Sequence, residues 1–365
     1  MLDNQIIKES AYQLGIDICR VTDGSELKEA RKRLEKRAES KYWPQPFTNQ
    51  DLDELTKPAL HFENLKSIIV VGISYNNQAE SPYLSKYVTV KDYHNYLKFK
   101  MEKLVDKLKI KLNKDFKYKI FVDTAPFLER AVASRAGAGF IGKNTMLINP
   151  DFGSYIFLGE IFTDLEIERD EALYLDCGSC RICLDNCESG ALKKEYLLAA
   201  DDCISYLTQK KGIIPERERK KIGSHVWGCD ACQLKCPYNK KIKENNKKEM
   251  DFFDKDLKYF LELERNNPAV ELKNTAIIWR GSRVLLRNAL IVSANLNKNE
   301  YFELIKEKLN DNSPIIRYFA AWSLIKLDRK RAKKIIRKHL ENENNREFKN
   351  KIGKLMEAEE AENGY

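Results

Sequence analysis

The chain has 365 residues, with 64 basic and 55 acidic side chains and a formal net charge of +9. Its composition, 43% hydrophobic and 33% charged, excludes intrinsic disorder, and 16 glycines with 10 prolines exclude a collagen-like or low-complexity chain. The length suggests two or three domains, and the most apolar stretch, Ile68–Ile73, is far too short to span a bilayer.

In chain order, Ile6–Leu14 has helical periodicity, and Glu26–Arg37 reads as a charged helix opened by Ser25. Lys66–Tyr75 is a β-branched run and is predicted to be a buried strand. Asp92–Leu112 is predicted to be a long helix, with Leu97, Met101, Leu104, Leu108 and Leu112 on its apolar face. Lys117–Val122 is the next strand; it ends at Asp123, where Thr124-Ala125-Pro126 turns the chain toward a helix. Glu129–Ala138 is helical, Gly137, Gly139 and Gly142 open the chain, and Gly153–Thr163 is a further strand. The G-x-G-x-x-G spacing of Gly137–Gly142 follows a helix and not a strand, so it reads as a turn-rich loop and not a dinucleotide site.

The expected fold class is α+β, in three parts. Residues 1–165 form a mixed α/β domain, 166–245 a ferredoxin-like unit with two [4Fe-4S] clusters, and 246–365 an α-helical domain. In the last part, Arg287-Asn288-Ala289-Leu290 with Leu296 resembles Arg317-Tyr318-Phe319-Ala320 with Leu327, thirty residues on. Two HEAT-like repeats account for this, with a plain helical bundle as the alternative.

No basic segment followed by an apolar run opens the sequence and no twin-Arg signal occurs, so a cytoplasmic, reducing location is expected. Four histidines (His61, His94, His225, His339) are too few for a His-built metal enzyme. Of nine cysteines, Cys19 stands alone and reads as a small buried hydrophobe. The others crowd into sixty residues as C-x2-C-x2-C-x3-C (Cys177, Cys180, Cys183, Cys187), Cys203, and C-x2-C-x3-C-P (Cys229, Cys232, Cys236). Eight thiolates suit two cubane clusters. In two-cluster ferredoxins the fourth cysteine of such a run ligates the other cluster. This gives Cys177, Cys180, Cys183 and Cys236 to one cluster, and Cys187, Cys203, Cys229 and Cys232 to the second. Two structural zinc sites are the alternative, but three cysteines within seven positions suit a tetrahedral ion poorly.

Charge is uneven along the chain. Lys210–Lys221 includes Lys210, Lys211, Arg217, Arg219, Lys220 and Lys221, and Arg329–Lys338 is wholly basic or neutral. Each run is either a solvated helix face or a phosphate-binding surface. Asp123 sits at the carboxyl end of an apolar strand, where burial is expected to raise its pKa and keep it protonated; it could equally cap the following helix.

Several strings together resemble the epoxyqueuosine reductase family. They are Val122-Asp123-Thr124, Glu129-Arg130-Ala131-Val132-Ala133, Gly139-Phe140-Ile141-Gly142-Lys143-Asn144 and Phe152-Gly153-Ser154-Tyr155. Cys177-Gly178-Ser179-Cys180, Cys203-Ile204-Ser205-Tyr206-Leu207-Thr208, Gly228-Cys229-Asp230-Ala231-Cys232-Gln233 and Cys236-Pro237 follow in the same order, and Trp279-Arg280-Gly281 extends the match toward the tail. The resemblance implies that residues 1–165 bind cobalamin and that the clusters reduce it with electrons from an external low-potential donor. It implies a substrate, epoxyqueuosine at the wobble position of a tRNA anticodon, that loses its epoxide oxygen as water. Asp123 would be the proton donor. Tyr93, His94, Lys143, Asn144, Leu147, Ser154, Leu158, Ser205, Asp230 and Gln233, together with Asp123, would line the cobalamin and substrate pocket. Lys210, Lys211, Lys220, Lys221, Arg280 and Arg287 would face tRNA. A monomer with no membrane association is expected.

The chain departs from the family pattern at Glu188, where a proline is usual after the fourth cysteine, and at Leu55, Thr89 and Val90 near the pocket. Two other readings use the same cysteines: a cobalamin-dependent reductive dehalogenase, and a non-enzymatic iron–sulfur electron carrier that binds RNA. The second leaves the large first domain without a use.

Overall fold

Alternating β-branched and aromatic stretches make the strands, and the order in which they pair decides which residues meet. A computed structural model describes residues 1–42, 51–77, 81–242, 253–264 and 270–361. The strands are β1 (Ile18–Thr22), β2 (Ser67–Ser74), β3 (Tyr118–Phe121), β4 (Phe140–Ile141), β5 (Leu147–Ile148) and β6 (Ile156–Thr163). Four form an antiparallel sheet in the order β1-β2-β6-β3, and β4 pairs with β5 as a separate hairpin. The helices of this region are α1 (Asn4–Tyr12), α2 (Lys28–Ala38), α3 (Leu52–Thr56), α4 (Tyr93–Leu112) and α5 (Glu129–Arg135). The strand and long-helix expectations therefore hold to within a few residues, although α2 begins after Leu27 and Ser25 does not cap it.

Every residue of β2 is buried, because both faces of the sheet are covered. On one face, Leu97 and Met101 of α4 press against Gly159; a Cβ there would lie 2.7 Å from the Met101 sulfur. Strand alternation turns the next residue, Glu160, to the opposite face. There Val70, Phe121, Phe162, Val132 and Ala133 form an apolar cluster. Cys19 on β1 is fully buried and its thiol is pushed up to about 12 by that burial, as suits a small hydrophobe.

Compactness divides the chain differently from the expected boundaries at 165 and 245. One unit comprises residues 1–78, 90–203 and 230–251, and the other 79–89, 204–229 and 252–365. The first contains the sheet together with the cysteine run 177–203. Its segment 176–203 has little regular structure: a helical turn at Ile182–Asp185 and a small hairpin of Leu192–Lys194 with Leu197–Leu198.

The second unit is helical. The helix Ser282–Asn295 packs against the helices Ile204–Gln209, Glu216–Ile222, Leu257–Leu261 and Pro314–Leu327, and the last of these is joined by Arg329–Glu341 and Arg346–Ala361. Trp227 is enclosed in this core and donates its indole N–H to the Tyr87 hydroxyl at 2.8 Å. Among the described residues no helix is long and apolar enough to cross a membrane.

Candidate functional site

Two constellations form within the first unit. The first is built where β3 ends. Val122 is followed by Asp123 in the left-handed region at φ 56°, a conformation that aspartate tolerates better than most side chains. This bend presents the Asp123 carboxylate at the surface, 58% exposed. Asp92 caps α4, accepting the His94 backbone N–H at 3.0 Å, and its Oδ1 also lies 2.7 Å from His94 Nδ1. The first turn of α4 then supplies two groups to Asp123 Oδ2: the Tyr93 hydroxyl, which donates at 2.8 Å, and His94 Nε2 at 3.3 Å. The Tyr93 ring is clamped between Phe157 and His94, with ring centroids 4.1 Å away on each side.

The electrostatics correct one expectation. Burial does oppose ionisation of Asp123, but the hydrogen bonds from His94 and Tyr93 outweigh it and hold the carboxyl below its ordinary range. His94 moves the other way. Partial burial disfavours its charge, yet Asp123 and Asp92 on its two nitrogens raise it to about 9. At neutral pH the array is thus an imidazolium between two carboxylates, and the exchangeable proton resides on His94.

The second constellation is the cysteine loop. Cys177, Cys180, Cys183 and Cys236 line one cavity of about 250 Å³, with Lys143, Asn144, Ile148 and Pro237 among the other wall residues. Cys236 caps the short helix Pro237–Lys240, whose first residue needs no N–H partner. Among the described residues no group of three or more His, Cys, Asp or Glu is arranged for a single metal ion. Four cysteines lining a cavity of this size suit a polynuclear cluster better than zinc. Of the remaining cysteines, Cys187, Cys203 and Cys232 belong to the same unit and Cys229 closes the 204–229 segment of the other.

The other expected pocket residues divide by burial. Lys143 donates to the Gly178 carbonyl at 2.7 Å and pairs with Glu195 at 2.8 Å, and Asn144 donates to the Cys232 carbonyl at 3.3 Å, so both brace the cysteine segments. Ser154 donates to Gln233 Oε1 at 2.8 Å, and Gln233 donates to Asp230 Oδ1 at 2.9 Å. Asn239, which sequence reasoning missed, donates to Ser154 Oγ at 2.9 Å and accepts the Ser154 backbone N–H at 2.7 Å. All four of these residues are buried. Leu147 is buried on β5, whereas Leu158 on β6 is half-buried. Ser205 lies in the helical unit, where its carbonyl and hydroxyl accept from Gln209 Nε2.

Among the expected tRNA-facing residues, Lys211 and Lys220 are exposed, Lys210 pairs with Glu218 at 3.3 Å, and Lys221 is half-buried. The Arg280 guanidinium lies over the Trp279 ring at 3.6 Å. Arg287 is a correction: it is 1% exposed and cannot reach a phosphate. Its guanidinium donates to the carbonyls of Lys210 and Gly212 and to Asn288 Oδ1, which ties down the 210–212 segment. Arg219 is likewise buried, among Tyr318, Phe319 and Trp322, so part of the basic run is core.

Sequence reasoning also missed Glu129, Arg130 and Glu160 around Asp123. Arg130 donates to the Thr145 carbonyl at 2.6 Å, joining α5 to the β4–β5 hairpin. The family strings that contain Glu129 and Arg130 were the available signal. Nothing local marks Glu160, which looks like the solvent side of a strand.

Residues 176–239 match the model of the 4Fe-4S double cluster binding domain, and residues 56–124 match that of "Epoxyqueuosine reductase QueG, DUF1730". The chain is 37% identical to the epoxyqueuosine reductase of Lactococcus garvieae over 78% of its own length and 85% of the relative's. A crystal structure of epoxyqueuosine reductase with an epoxyqueuosine-modified tRNA-Tyr stem loop superposes with a TM-score of 0.90 at 33% identity, covering 97% of this chain and 98% of the other. The Bacillus subtilis enzyme, whose catalytic aspartate loop is swung out of the active site in that crystal, superposes at 0.89 with 32% identity, over 97% and 98% of the two chains. The chain belongs to the epoxyqueuosine reductase family.

Proposed function

We propose that this chain reduces epoxyqueuosine to queuosine at the wobble position of tRNA anticodons, with Asp123 as the group that hands a proton to the epoxide oxygen. The carrying observation is the Asp92–His94–Asp123 array: a carboxylate at the surface, oriented by the Tyr93 hydroxyl and backed by a protonated imidazole. As the ring opens, its oxygen becomes strongly basic. Asp123 passes on the His94 proton, and Asp92 holds the imidazole in place.

The eight clustered cysteines would ligate two [4Fe-4S] clusters, Cys177, Cys180, Cys183 and Cys236 one of them, and Cys187, Cys203, Cys229 and Cys232 the other. An external low-potential donor would reduce them. The donor set beside Asp123 is compatible with cobalamin in part. His94, Leu158 and Asp123 keep open surface and would hold it with Tyr93 behind them, while Lys143, Asn144, Leu147, Ser154, Asp230 and Gln233 are enclosed and would act as the scaffold beneath. When bound, cobalamin would supply a low-valent, nucleophilic cobalt for the two-electron reduction.

Lys210, Lys211, Lys220, Lys221 and Arg280 of the helical unit would meet tRNA phosphates, and the Arg329–Glu341 helix adds further positive charge. Working on tRNA, the chain would act in the cytoplasm, as a monomer. The two stretches with similar Arg287 and Arg317 would be its HEAT-like repeats.

The test is anaerobic reconstitution with iron, sulfide and cobalamin, followed by nucleoside mass spectrometry of epoxyqueuosine-containing tRNA. Queuosine is the expected product, and Asp123→Asn should keep cofactors while losing turnover. An Asp123→Asn enzyme of full activity would refute the assigned role.

A further inference from the structure

Converting an epoxide to an alkene consumes two electrons and two protons and releases water. His94 holds one proton beside Asp123. Two further acidic groups, Glu160 and Glu129, lie close enough to that carboxylate to feel its charge. Glu160 lies at 0% exposure on β6, an inner strand of the sheet, in register with Val70 on β2 and Phe121 on β3. Among the described residues neither of its carboxyl oxygens has a hydrogen-bond partner. A carboxylate so placed would be an uncompensated buried charge, so the group is held as the neutral acid.

Glu129 opens α5 next to it. Among the described residues its enclosed Oε1 has no partner, and its carboxyl accepts the backbone N–H of Asp123. The charged or titratable groups facing Glu160 are the carboxyls of Glu129 and Asp123; those facing Glu129 also include Arg130 and His94. Burial first, and the Asp123 charge second, push Glu129 up to about 8, and burial pushes Glu160 well above the ordinary glutamate range. An apolar residue would pack at Glu160 at less cost, and among the described residues no cation compensates it there, which argues for a chemical use.

We propose that Glu129 and Glu160 form a proton store behind Asp123 and supply the second proton of each turnover. The inference rests on Asp123 being the donor to substrate. In the first step one C–O bond of the epoxide breaks, two electrons enter from the reductant, and the oxygen takes the His94 proton through Asp123. In the second step the remaining C–O bond breaks. Asp123 passes a proton from Glu129 to the departing oxygen, Glu160 returns one to Glu129, and water and the alkene leave; because the Glu160 and Glu129 carboxyls make no direct hydrogen bond to each other, each transfer runs through a bridging water or a turn of the Glu129 side chain. The pair is left with one negative charge until it is refilled from solvent through the exposed Asp123 carboxylate.

The test uses reduced holoenzyme with an epoxyqueuosine-containing stem loop, comparing the wild type with Glu160→Gln, Glu129→Gln and Glu160→Asp. Both Gln variants should slow product formation by about tenfold or more, with a larger solvent isotope effect, unchanged stem-loop affinity and partial recovery in Glu160→Asp. Independently of turnover, infrared spectra of the full chain at neutral pH should contain a protonated-carboxyl band that disappears in Glu160→Gln. If Glu160→Gln does not fold, Glu129→Gln and titration of that band in the wild type carry the test. Normal rates in both Gln variants, or no protonated-carboxyl band in the wild type, would overturn the store while leaving Asp123 as donor. An active Asp123→Asn enzyme would instead remove the reading on which the store rests.

Discussion

The Tyr93 hydroxyl donates to Asp123 Oδ2 at 2.8 Å from a ring stacked flat on Phe157, at an interplanar angle of 3°. One end of the pair is thus fixed by packing and the other is exposed at the surface. Tyr93→Phe keeps the stack and removes only the donor, so the carboxylate loses part of its orientation. We expect turnover to fall about tenfold, the equivalent of roughly 1.4 kcal/mol, with little change in thermal stability or iron content. Steady-state rates on epoxyqueuosine-containing tRNA check this; an unchanged kcat would mean that Phe157 alone positions the site.

The pH dependence follows from opposite shifts in the same array. His94 is raised from its ordinary value to about 9, so its contribution to stability is fully present below about 6.5 and is lost as pH rises through 9. Asp123 is lowered, so its contribution is present above the ordinary aspartate pKa near 3.9 and is lost as pH falls through its lower folded value. Because His94 is 31% exposed, screening reduces its share to about 1–2 kcal/mol. Denaturant unfolding at pH 6.5 and pH 10 should therefore differ by about that much more in the wild type than in His94→Asn. Activity should decline in the wild type as pH rises through about 8 and then 9, as the Glu129 proton and then the His94 imidazolium proton are lost.

The sequence made the sheet and the cysteine sites legible for different reasons. Ile68–Ile73 and the Gly153–Thr163 stretch announce strands because their β-branched runs are local, and the C-x2-C-x2-C spacing keeps Cys177, Cys180 and Cys183 in one short loop, where they line one cavity. What failed depends on distance along the chain. Asp123 was expected to be buried and protonated because its strand is apolar. His94, 29 residues away, reverses the shift, and only folding brings the two together. Arg287 reads as surface charge, yet the carbonyls that satisfy it come from residues 210 and 212. Glu160 is hidden because strand pairing with Val70 and Phe121, and not local pattern, decides which acidic residue is enclosed. The helical unit gathers segments 79–89, 204–229 and 252–365, a grouping made by topology that no composition shift marks.

The cysteine assignment separates by element analysis. Reconstituted wild type should contain about eight irons per chain and no stoichiometric zinc. Cys236 shares its cavity with Cys177, Cys180 and Cys183, so Cys236→Ala should destabilise that one cluster and reduce iron toward about four, with Cys187→Ala affecting the other. Cys19→Ala, at a thiol buried on β1, should leave iron unchanged. Electron paramagnetic resonance of the reduced variants would show whether Cys236→Ala and Cys187→Ala remove different signals. Loss of the same signal in both would break the proposed division of ligands.

Arg287 and Lys220 lie in the same helical unit and predict opposite phenotypes. Arg287 is enclosed, lowered to about 9 by burial, and spends its donors on Lys210, Gly212 and Asn288. Arg287→Met removes the bonds that anchor those two carbonyls and leaves Asn288 Oδ1 short of a donor. We expect destabilisation of roughly 3 kcal/mol, read by denaturant unfolding. Any loss of tRNA affinity in that variant should disappear under conditions in which it is fully folded, with the salt dependence unchanged. Lys220 is exposed on the Glu216–Ile222 helix. Lys220→Ala should leave unfolding within about 0.5 kcal/mol of wild type, since it removes an exposed charge. If Lys220 contacts a phosphate, the slope of log affinity against log salt should fall by about 0.7–0.9. Titration of a tRNA stem loop at several salt concentrations measures that slope. An Arg287→Met variant that folds normally but loses salt-dependent affinity would instead mean that this guanidinium leaves the core to meet the nucleic acid.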